Sequence, residues 1–431
     1  MLSPTSSFAS STNCKGSVRS YGASWGILVE LCYMRLKMVL DNEVSAFREQ
    51  VSAFSMLQVN AGTKGICHPK TTAAFIDWTR RVEDDGYAGY VAAQEAALTA
   101  RDRLAAFCNA KSTEIAFTGN ATVSLNIAMD LPWHRWDAPV DVLISDHEYP
   151  ATNMVFGYLQ QRGKIRIVRY GLSTDSETLI ENLERARTPN TKVMVLSHVC
   201  CNTGKRTDPT AASAWAKANG IMSYIDGTQA LGQVPVDLTA MGCDLYITNG
   251  HKWLGGPNGV GLLYVRNGFE DDMWPVHVGH GMMPFTPDNE YSGDPIFAPG
   301  AHRFELMATR PAQTFATMHT ALDVVNELGL DNIRERQELL AGYIKKRVLE
   351  QPDRFELISP LGFSDSSALV SIRIHGATGA EINAFAGKVL DEKRAFLRPV
   401  PEFDALRISA AYYNVPDDYE RLWDLLAELK G

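Results

Sequence analysis

Several common signatures of function are missing from this sequence of 431 residues. The seven cysteines include no C-x-x-C pair, which argues against a zinc or other metal site and against a disulfide framework. No run of Lys or Arg stands out, and 50 acidic residues face 41 basic ones, so we expect neither nucleic acid nor an anionic membrane as a partner. These absences favour a reducing compartment and a small-molecule partner.

The first 37 residues differ from the rest of the chain because they are rich in serine and poor in acids. Their apolar run Trp25–Tyr33 is interrupted by Glu30 and is far shorter than the roughly 20 residues that a membrane helix needs. Three interpretations stay open: a disordered extension, a start codon assigned too far upstream, and an organelle-targeting peptide. Unless the segment is a targeting peptide, we expect a cytoplasmic protein.

Short apolar runs alternate with longer amphipathic segments from Asn60 onward. This order predicts an α/β fold in which a mostly parallel sheet is covered by helices. The predicted strands are Glu114–Phe117, Val140–Ser145, Ile165–Val168, Val193–Ser197, Met222–Ile225, Leu245–Thr248 and Gly261–Val265. Apolar residues that return every three or four positions predict helices over Ala92–Phe107, Thr178–Arg187 and Asp208–Asn219.

A smaller α+β domain is predicted for the C-terminal part of the chain. Helical patterns over Ala312–Leu328 and Asn332–Leu349 lead to strand candidates at Ala368–Ile374 and Leu406–Ser409. Asp417–Leu429 has the pattern of an amphipathic closing helix. The predicted divisions are an extension over 1–37, an N-terminal helical segment over 38–59, a large domain over 60–310 and a small domain with its linking helix over 311–431.

Lys252 and Asp226 form the most informative pair in the sequence. Lys252 lies some 26 residues after Asp226, which closes a strand candidate. A buried amine at the end of a strand can form a Schiff base with the aldehyde of pyridoxal phosphate (PLP), and a carboxylate can keep the pyridine nitrogen protonated. Taken alone the pair is weak evidence, since most lysines are solvated and an Asp before Gly is commonly a turn residue. The glycines of Gly255–Gly261 fit neither a dinucleotide nor a Walker A loop.

Three segments, Asp226–Ala230, Asn249–Lys252 and Gly255–Gly261, follow one another in an order and at spacings that resemble class V aminotransferases. These are fold-type I PLP enzymes and include cysteine desulfurases and isopenicillin N epimerase. The resemblance extends from about Asn60 to Leu429. It implies a large PLP-binding domain with a seven-stranded sheet, a small-molecule amino acid substrate, and a homodimer in which Gly279–Met282 reaches the neighbouring subunit.

The same resemblance implies which residues bind the cofactor phosphate. Ala121 and Thr122 follow the first predicted strand, where a helix begins and attracts anions, and His251 would reach the same group beside the lysine. An ordinary helix cap is the alternative for Thr122.

For the cofactor ring, the resemblance implies that His147 stacks on it and that Asp226 pairs with the pyridine nitrogen. Gln229 and His198 would contact the phenolic oxygen. The alternative for His147 is a residue that caps the next helix.

Substrate contacts are expected from Arg398, which would hold the carboxylate, and from the loop at Asn60. The resemblance also implies that Arg310 holds a second carboxylate or a phosphate from the partner subunit. A surface charge is the alternative for Arg310 and a plain turn for Asn60. Desulfurases carry a nucleophilic cysteine shortly after the carboxylate arginine, and none lies between Arg398 and Arg407. The pattern is therefore closer to the isopenicillin N epimerase and C–S lyase branch.

The expected mechanism begins with Lys252 removing the α-proton of the amino acid. Catalysis would thus involve Lys252, Asp226 and His147. We expect β-elimination of the C–S lyase type, with epimerisation and transamination as alternatives within the family. The alternative outside enzymes is a PLP-binding scaffold or sensor.

Overall fold

The computed structural model describes residues 39–130, 136, 139–269, 271, 273–275, 278, 297–305 and 309–429. The predicted extension over 1–37 and the predicted subunit contact at Gly279–Met282 lie outside these residues. Within the described part of the chain, no helix has both the length and the apolar character to cross a membrane.

The strands and helices are named here in chain order. The strands are β1 (Leu57–Gln58), β2 (Ile115–Thr118), β3 (Val140–Ser145), β4 (Ile165–Tyr170), β5 (Thr191–Ser197), β6 (Met222–Asp226), β7 (Leu245–Asn249), β8 (Gly261–Val265), β9 (Phe355–Leu357), β10 (Leu369–Ile374), β11 (Ala395–Phe396), β12 (Arg398–Val400) and β13 (Ala405–Ser409). The helices are α1 (Asp41–Glu49), α2 (Pro69–Asp84), α3 (Tyr87–Phe107), α4 (Ala121–Asp130), α5 (Pro150–Gln161), α6 (Ser176–Ala186), α7 (Pro209–Ala218), α8 (Leu238–Met241), α9 (Ala312–Leu328), α10 (Leu330–Leu349), α11 (Gly379–Lys393) and α12 (Pro416–Leu426).

A seven-stranded sheet has the strand order β2-β8-β7-β6-β5-β3-β4. Strand β8 runs antiparallel to both of its neighbours, and the other pairs are parallel. This arrangement confirms the predicted α/β fold with a mostly parallel sheet. Each of the seven predicted strands overlaps one observed strand.

The sheet is covered on both faces, which explains why its strands are continuous apolar runs. In β3, Leu143 packs into one core cluster while its neighbours Val142 and Ile144 pack into another. Successive side chains of a strand point to opposite faces, so the two clusters are the two layers between sheet and helices. Strands β2, β6 and β7 run in the same direction, and their carboxyl ends therefore meet at one edge of the sheet.

A second sheet lies in the C-terminal part, with the antiparallel order β12-β13-β10-β9. The predicted strands at Ala368–Ile374 and Leu406–Ser409 correspond to β10 and β13. The two strands that the sequence did not predict, β9 and β12, have three residues each. Such short strands carry too few residues for an alternating pattern to be visible.

The N-terminal segment packs against the C-terminal part of the chain. Strand β1 pairs in parallel with β11, and the Val59 carbonyl accepts a hydrogen bond from Ser409 N at 2.8 Å. Both guanidinium nitrogens of Arg48 lie 2.9 Å from the carboxylate oxygens of Asp418. The loop after β1 is thereby held between the two sheets. The predicted domain boundaries stay a prediction.

Candidate active site

A cavity of about 660 Å³ lies at the carboxyl ends of β2, β6 and β7. Most of the residues singled out in the sequence line it: Ala121, Thr122, Asp226, Gln229, His251, Lys252 and Arg398. Its other lining residues include Gly62, Thr63, Tyr149, Asn249 and Arg407. His147, His198, Arg310 and Asn60 do not line it.

Lys252 follows β7 and is half-buried at the floor of the cavity. Burial lowers the pKa of its amine most, the nearby Arg407 also lowers it, and Asp226 opposes both effects, so that the pKa is about 8. The backbone around this lysine is fixed by a second loop, because Gly65 N donates to the His251 carbonyl at 2.9 Å. A Cβ atom at Gly65 would overlap the carbonyl oxygen of Lys252. The result is an amine that loses its proton as pH rises through about 8, well below the ordinary lysine range.

Asp226 is the last residue of β6 and is buried. Its Oδ1 accepts a hydrogen bond from Thr228 N at 2.8 Å. Burial raises the pKa of this carboxyl, while hydrogen bonding from Thr228 and the charge of Lys252 lower it. A buried carboxylate without a bound arginine is costly unless a cationic partner reaches it. A protonated pyridine nitrogen is such a partner.

Helix α4 begins at the rim of the cavity, directly after β2. Asn120 caps the helix through a hydrogen bond from Val123 N to its Oδ1 at 3.0 Å. Gly119, Ala121 and Thr122 line the cavity at this point. The first amide groups of a helix have no partner within it and attract phosphate. This rim can therefore bind a phosphate group.

Five buried polar atoms of lining residues have no hydrogen-bond partner among the described residues: Thr152 Oγ1, Thr228 Oγ1, Asn249 Oδ1, His251 Nδ1 and Arg407 Nε. Buried polar atoms normally have partners, so these five indicate that a polar molecule belongs in the cavity. Burial lowers the pKa of His251 to about 4, which leaves its imidazole neutral and able to donate one hydrogen bond. The cavity has the donors for a phosphate, an acid for a ring nitrogen and an amine for an aldehyde. These residues fit PLP.

Tyr149, and not His147, reaches the cavity. The Nδ1 atom of His147 lies 2.5 Å from Asp146 Oδ1, and its ring packs 5.2 Å from that of Phe403. Between the two residues, Glu148 is buried and accepts a hydrogen bond from Ser197 Oγ at 2.7 Å. Because Glu148 points into the protein, the next residue, Tyr149, lies at the cavity wall as the cap of α5. Tyr149 is therefore the aromatic residue that lines the cavity, and stacking by His147 stays a prediction.

His198 also lies away from the cavity, contrary to expectation. Its ring is buried, and Nδ1 lies 3.2 Å from Tyr246 Oη. It lines a separate cavity of about 450 Å³ together with Arg206 and Asp208. Neighbouring residues of an extended segment point to opposite sides. Ser197 points toward Glu148, so the next residue, His198, points the other way.

Gln229 lines the cavity, but its amide is engaged within the protein. Its Nε2 donates to the Gly62 carbonyl at 2.8 Å, and its Oε1 accepts from Trp253 Nε1 at 3.0 Å. Here Gln229 connects the loop after β1 to the segment that carries Lys252. Its expected contact with the phenolic oxygen stays a prediction.

Arg407 lines the cavity although it is not among the site residues predicted from the sequence. The residue is buried in β13 and lines the cavity beside Arg398. Its guanidinium donates to the Cys201 carbonyl at 2.9 Å and to Asn60 Oδ1 at 3.0 Å. Asn60 therefore holds an arginine in place and does not itself line the cavity. An arginine within a strand whose other residues are apolar or small was the signal in the sequence.

Arg310 is bound within its own chain and does not reach this cavity. Its guanidinium contacts the Glu305 carboxylate and donates to Gln94 Oε1 at 2.7 Å. Glu305 also pairs with Arg101 at 2.8 Å. A buried acid flanked by two arginines explains why the side chain turns inward, so that Arg310 is not a surface charge, and its expected substrate contact stays a prediction.

The chain matches the family model described as aminotransferase class-V over residues 70–398. It belongs to the class V aminotransferase family. Family members are PLP-dependent enzymes, so the predicted cofactor and the predicted type of enzyme are confirmed.

Two class V relatives show how far the similarity extends. Isopenicillin N epimerase of Amycolatopsis lactamdurans is 28% identical over 397 residues, which cover 89% of this chain and 97% of that protein. A cysteine desulfurase of Serratia proteamaculans is 28% identical over 338 residues, which cover 75% and 79% of the two chains.

Solved class V structures agree in fold. A cystine C–S lyase in complex with its product cysteine persulfide has a TM-score of 0.78 and 22% identity, and covers 89% of this chain and 99% of that one. An apo cysteine desulfurase of Thermococcus onnurineus has a TM-score of 0.76 and 19% identity. At these identities the similarity concerns the fold.

Proposed function

We propose that this enzyme catalyses β-elimination from a sulfur-containing amino acid, breaking the bond between the β-carbon and sulfur. The observation that carries the proposal is the placement of Lys252 in one cavity with Arg398 and Arg407. An amine of lowered pKa can take the α-proton, while guanidinium groups bind the carboxylate. The relatives named as desulfurases and the C–S lyase structure support chemistry at sulfur.

In this proposal Lys252 removes the α-proton and returns a proton later in the cycle. PLP, when bound, accepts the electron pair that the α-carbon would otherwise have to hold. Asp226 would hold the ring nitrogen, while Ala121, Thr122 and His251 would hold the phosphate. Tyr149 would stack on the ring in place of His147. With water, the substrate yields a thiol, pyruvate and ammonium, so that the proton taken from the α-carbon and the two hydrogens of water are all accounted for.

The described cysteines argue against transfer of sulfur to the protein. Cys201 is the cysteine beside Arg407, yet it is buried and its Sγ lies 3.2 Å from Asn202 Oδ1. Burial raises the pKa of this thiol well above its ordinary value. A thiol nucleophile needs the opposite shift. We therefore favour release of a small thiol over formation of a protein persulfide.

Epimerisation is the second candidate, because isopenicillin N epimerase matches nearly the whole chain. Inversion at the α-carbon needs a proton donor on the side of the substrate opposite Lys252. Tyr149 is the lining residue that could serve, since its ring centroid lies 6.0 Å from Lys252 Nζ. Transamination and a non-catalytic scaffold have no comparable observation in their favour.

The test is to incubate the PLP-loaded protein with S-substituted L-cysteines in deuterated water. Pyruvate and a stoichiometric thiol are the expected products. Deuterium at the α-carbon together with D-isomer, without pyruvate, would replace elimination by epimerisation. Replacement of Lys252 by Ala should abolish both, whereas Lys345→Ala should not, because Lys345 is a buried lysine bound to Ser366 outside the cavity.

A further inference from the structure

Positive charge is in excess at the substrate end of the cavity. Lys252, Arg398 and Arg407 are formal cations among the described lining residues, and Asp226 is a formal anion. Asp226 and Lys252 are expected to be engaged by the cofactor ring and its aldehyde. The phosphate has its own donors at the start of α4. Two arginines are therefore left for the substrate.

The two arginines are direct partners across neighbouring strands. Arg398 in β12 pairs with Arg407 in β13 in the antiparallel register. Side chains at paired positions lie on one face of a sheet with Cβ atoms roughly 4.5–5.5 Å apart, and like charges there destabilise the pair. Burial and the charge of Arg398 both lower the pKa of Arg407, to about 10. The fold thus maintains a repulsive pair at the wall of the cavity.

No acid of the described chain neutralises this pair. The acceptors of the Arg407 guanidinium are the neutral oxygens of Cys201, Asn60 and Thr63. The half-buried Arg398 guanidinium makes no hydrogen bond or ion pair with any described residue. Both NH2 hydrogens of Arg407 have acceptors in Asn60 and Thr63, so Arg407 is held rigidly and Arg398 is the free group. The α-carboxylate of an amino acid supplies one negative charge for two guanidiniums.

We propose that the substrate is an amino acid with a second acidic group on its side chain, and that Arg398 selects it. The inference rests on the proposed elimination in one respect, which is that the second acidic group leaves with the thiol. The α-carboxylate and the side-chain acid then each face one arginine, which removes the repulsion within the pair. A neutral side chain would leave one guanidinium buried without an anion.

Two pairs of ligands test this. S-carboxymethyl-L-cysteine and its amide, S-carbamoylmethyl-L-cysteine, have nearly the same shape and both can release a thiol. L-2-aminoadipate and its side-chain amide replace the sulfur by a methylene and cannot undergo elimination. Binding of the second pair to the PLP-loaded protein is measured by calorimetry, and turnover of the first pair by pyruvate release.

We expect the acid of each pair to be favoured by about tenfold or more, as charge-assisted hydrogen bonds are. Arg398→Gln should bring the two affinities within about twofold by weakening only the acid. Arg206→Gln is the matched control, because Arg206 is also half-buried and makes no side-chain hydrogen bond among the described residues, but lines the other cavity.

Equal affinity for acid and amide would overturn the proposal. So would an Arg398→Gln variant that loses affinity for both ligands alike, since Arg398 would then hold the α-carboxylate. Failure of all four ligands to bind at millimolar concentration counts against it too. If 2-aminoadipate is preferred over its amide and no pyruvate forms from either cysteine derivative, the proposed β-elimination is wrong. The proposal of an amino acid with an acidic side chain is then still supported.

Discussion

The ring centroid of Tyr149 lies 6.0 Å from the Nζ atom of Lys252, across the cavity that we assign to PLP. We expect Tyr149→Ala to lower kcat/KM by about tenfold to a hundredfold, because the aromatic contact that orients the ring is lost. His147→Ala should change kcat/KM by less than about threefold, since its ring packs on Phe403. Steady-state kinetics of the two variants shows which residue stacks on the ring. A larger loss in His147→Ala than in Tyr149→Ala would favour His147.

Covalent labelling tests the assignment of Lys252. Reduction of the PLP-loaded protein with borohydride should abolish its near-visible absorption and add the pyridoxyl mass to the peptide with Lys252. Lys345 is a demanding control, because burial lowers the pKa of its amine to about 8 as well. If a low pKa were sufficient for reaction with PLP, both lysines would be labelled. Label on Lys345, or on neither, would contradict the site.

The pH dependence of PLP capture follows from the lowered pKa of Lys252. Burial disfavours the ammonium form, so the amine that reacts is populated as pH rises through about 8. The rate of capture by the apo-protein should therefore rise about tenfold per pH unit below pH 8 and level off above it. Stopped-flow absorbance between pH 6 and 10 measures this. A rise that continues to the ordinary lysine value near 10.5 would show an exposed amine.

Gly65 does not line the cavity, but Gly65→Ala should displace the backbone of Lys252 and weaken PLP binding. The added methyl would overlap the Lys252 carbonyl oxygen, so one of the two loops must move at a cost of about 1–3 kcal/mol. Gly342→Ala, on α10 with open space around the glycine, should instead stabilise by about 0.5–1 kcal/mol. Urea unfolding and PLP affinity are the measurements. Equal unfolding midpoints for the two variants would refute the contact.

A homodimer is expected from the family resemblance, and an exposed apolar face on α3 is a candidate for its interface. Tyr87, Val91 and Leu98 lie on one side of this helix, and Leu98 is 42% exposed. Leu98→Glu should shift the sedimenting species from dimer to monomer. Leu361→Glu, at a leucine that is 50% exposed elsewhere, should leave the dimer intact. A fully active wild-type monomer would rule the dimer out.

Much of this site was predictable because it lies where parallel strands end. Asp226 closes β6, Lys252 follows β7, and Ala121 begins the helix after β2. Runs of apolar residues locate such strands, and the direction of the strands brings their ends together. The strand predictions, together with the resemblance to class V aminotransferases, therefore brought three separate segments to one cavity.

The predicted residues that do not line the cavity share a cause, which is the direction of their side chains. His147 and Tyr149 are two residues apart in a loop, and only the buried contacts of Glu148 decide which aromatic side chain reaches the cavity. Successive side chains of an extended chain point to opposite sides, so Ser197 and His198 are not expected to face the same cavity. The substrate carboxylate was assigned to Arg398 and no role to Arg407. A buried strand, however, rarely contains an arginine without a functional reason.

The hydrogen bond between Arg407 and Asn60 joins positions 347 residues apart. During synthesis, Asp226 and Lys252 leave the ribosome well before Arg407 has been made, and Asn60 waits without its partner. The cofactor end of the cavity thus has its residues while the substrate end is still missing. A premature stop between Lys252 and Arg407 leaves the lysine that we expect to react with PLP in a chain that lacks the arginine pair needed to choose an amino acid.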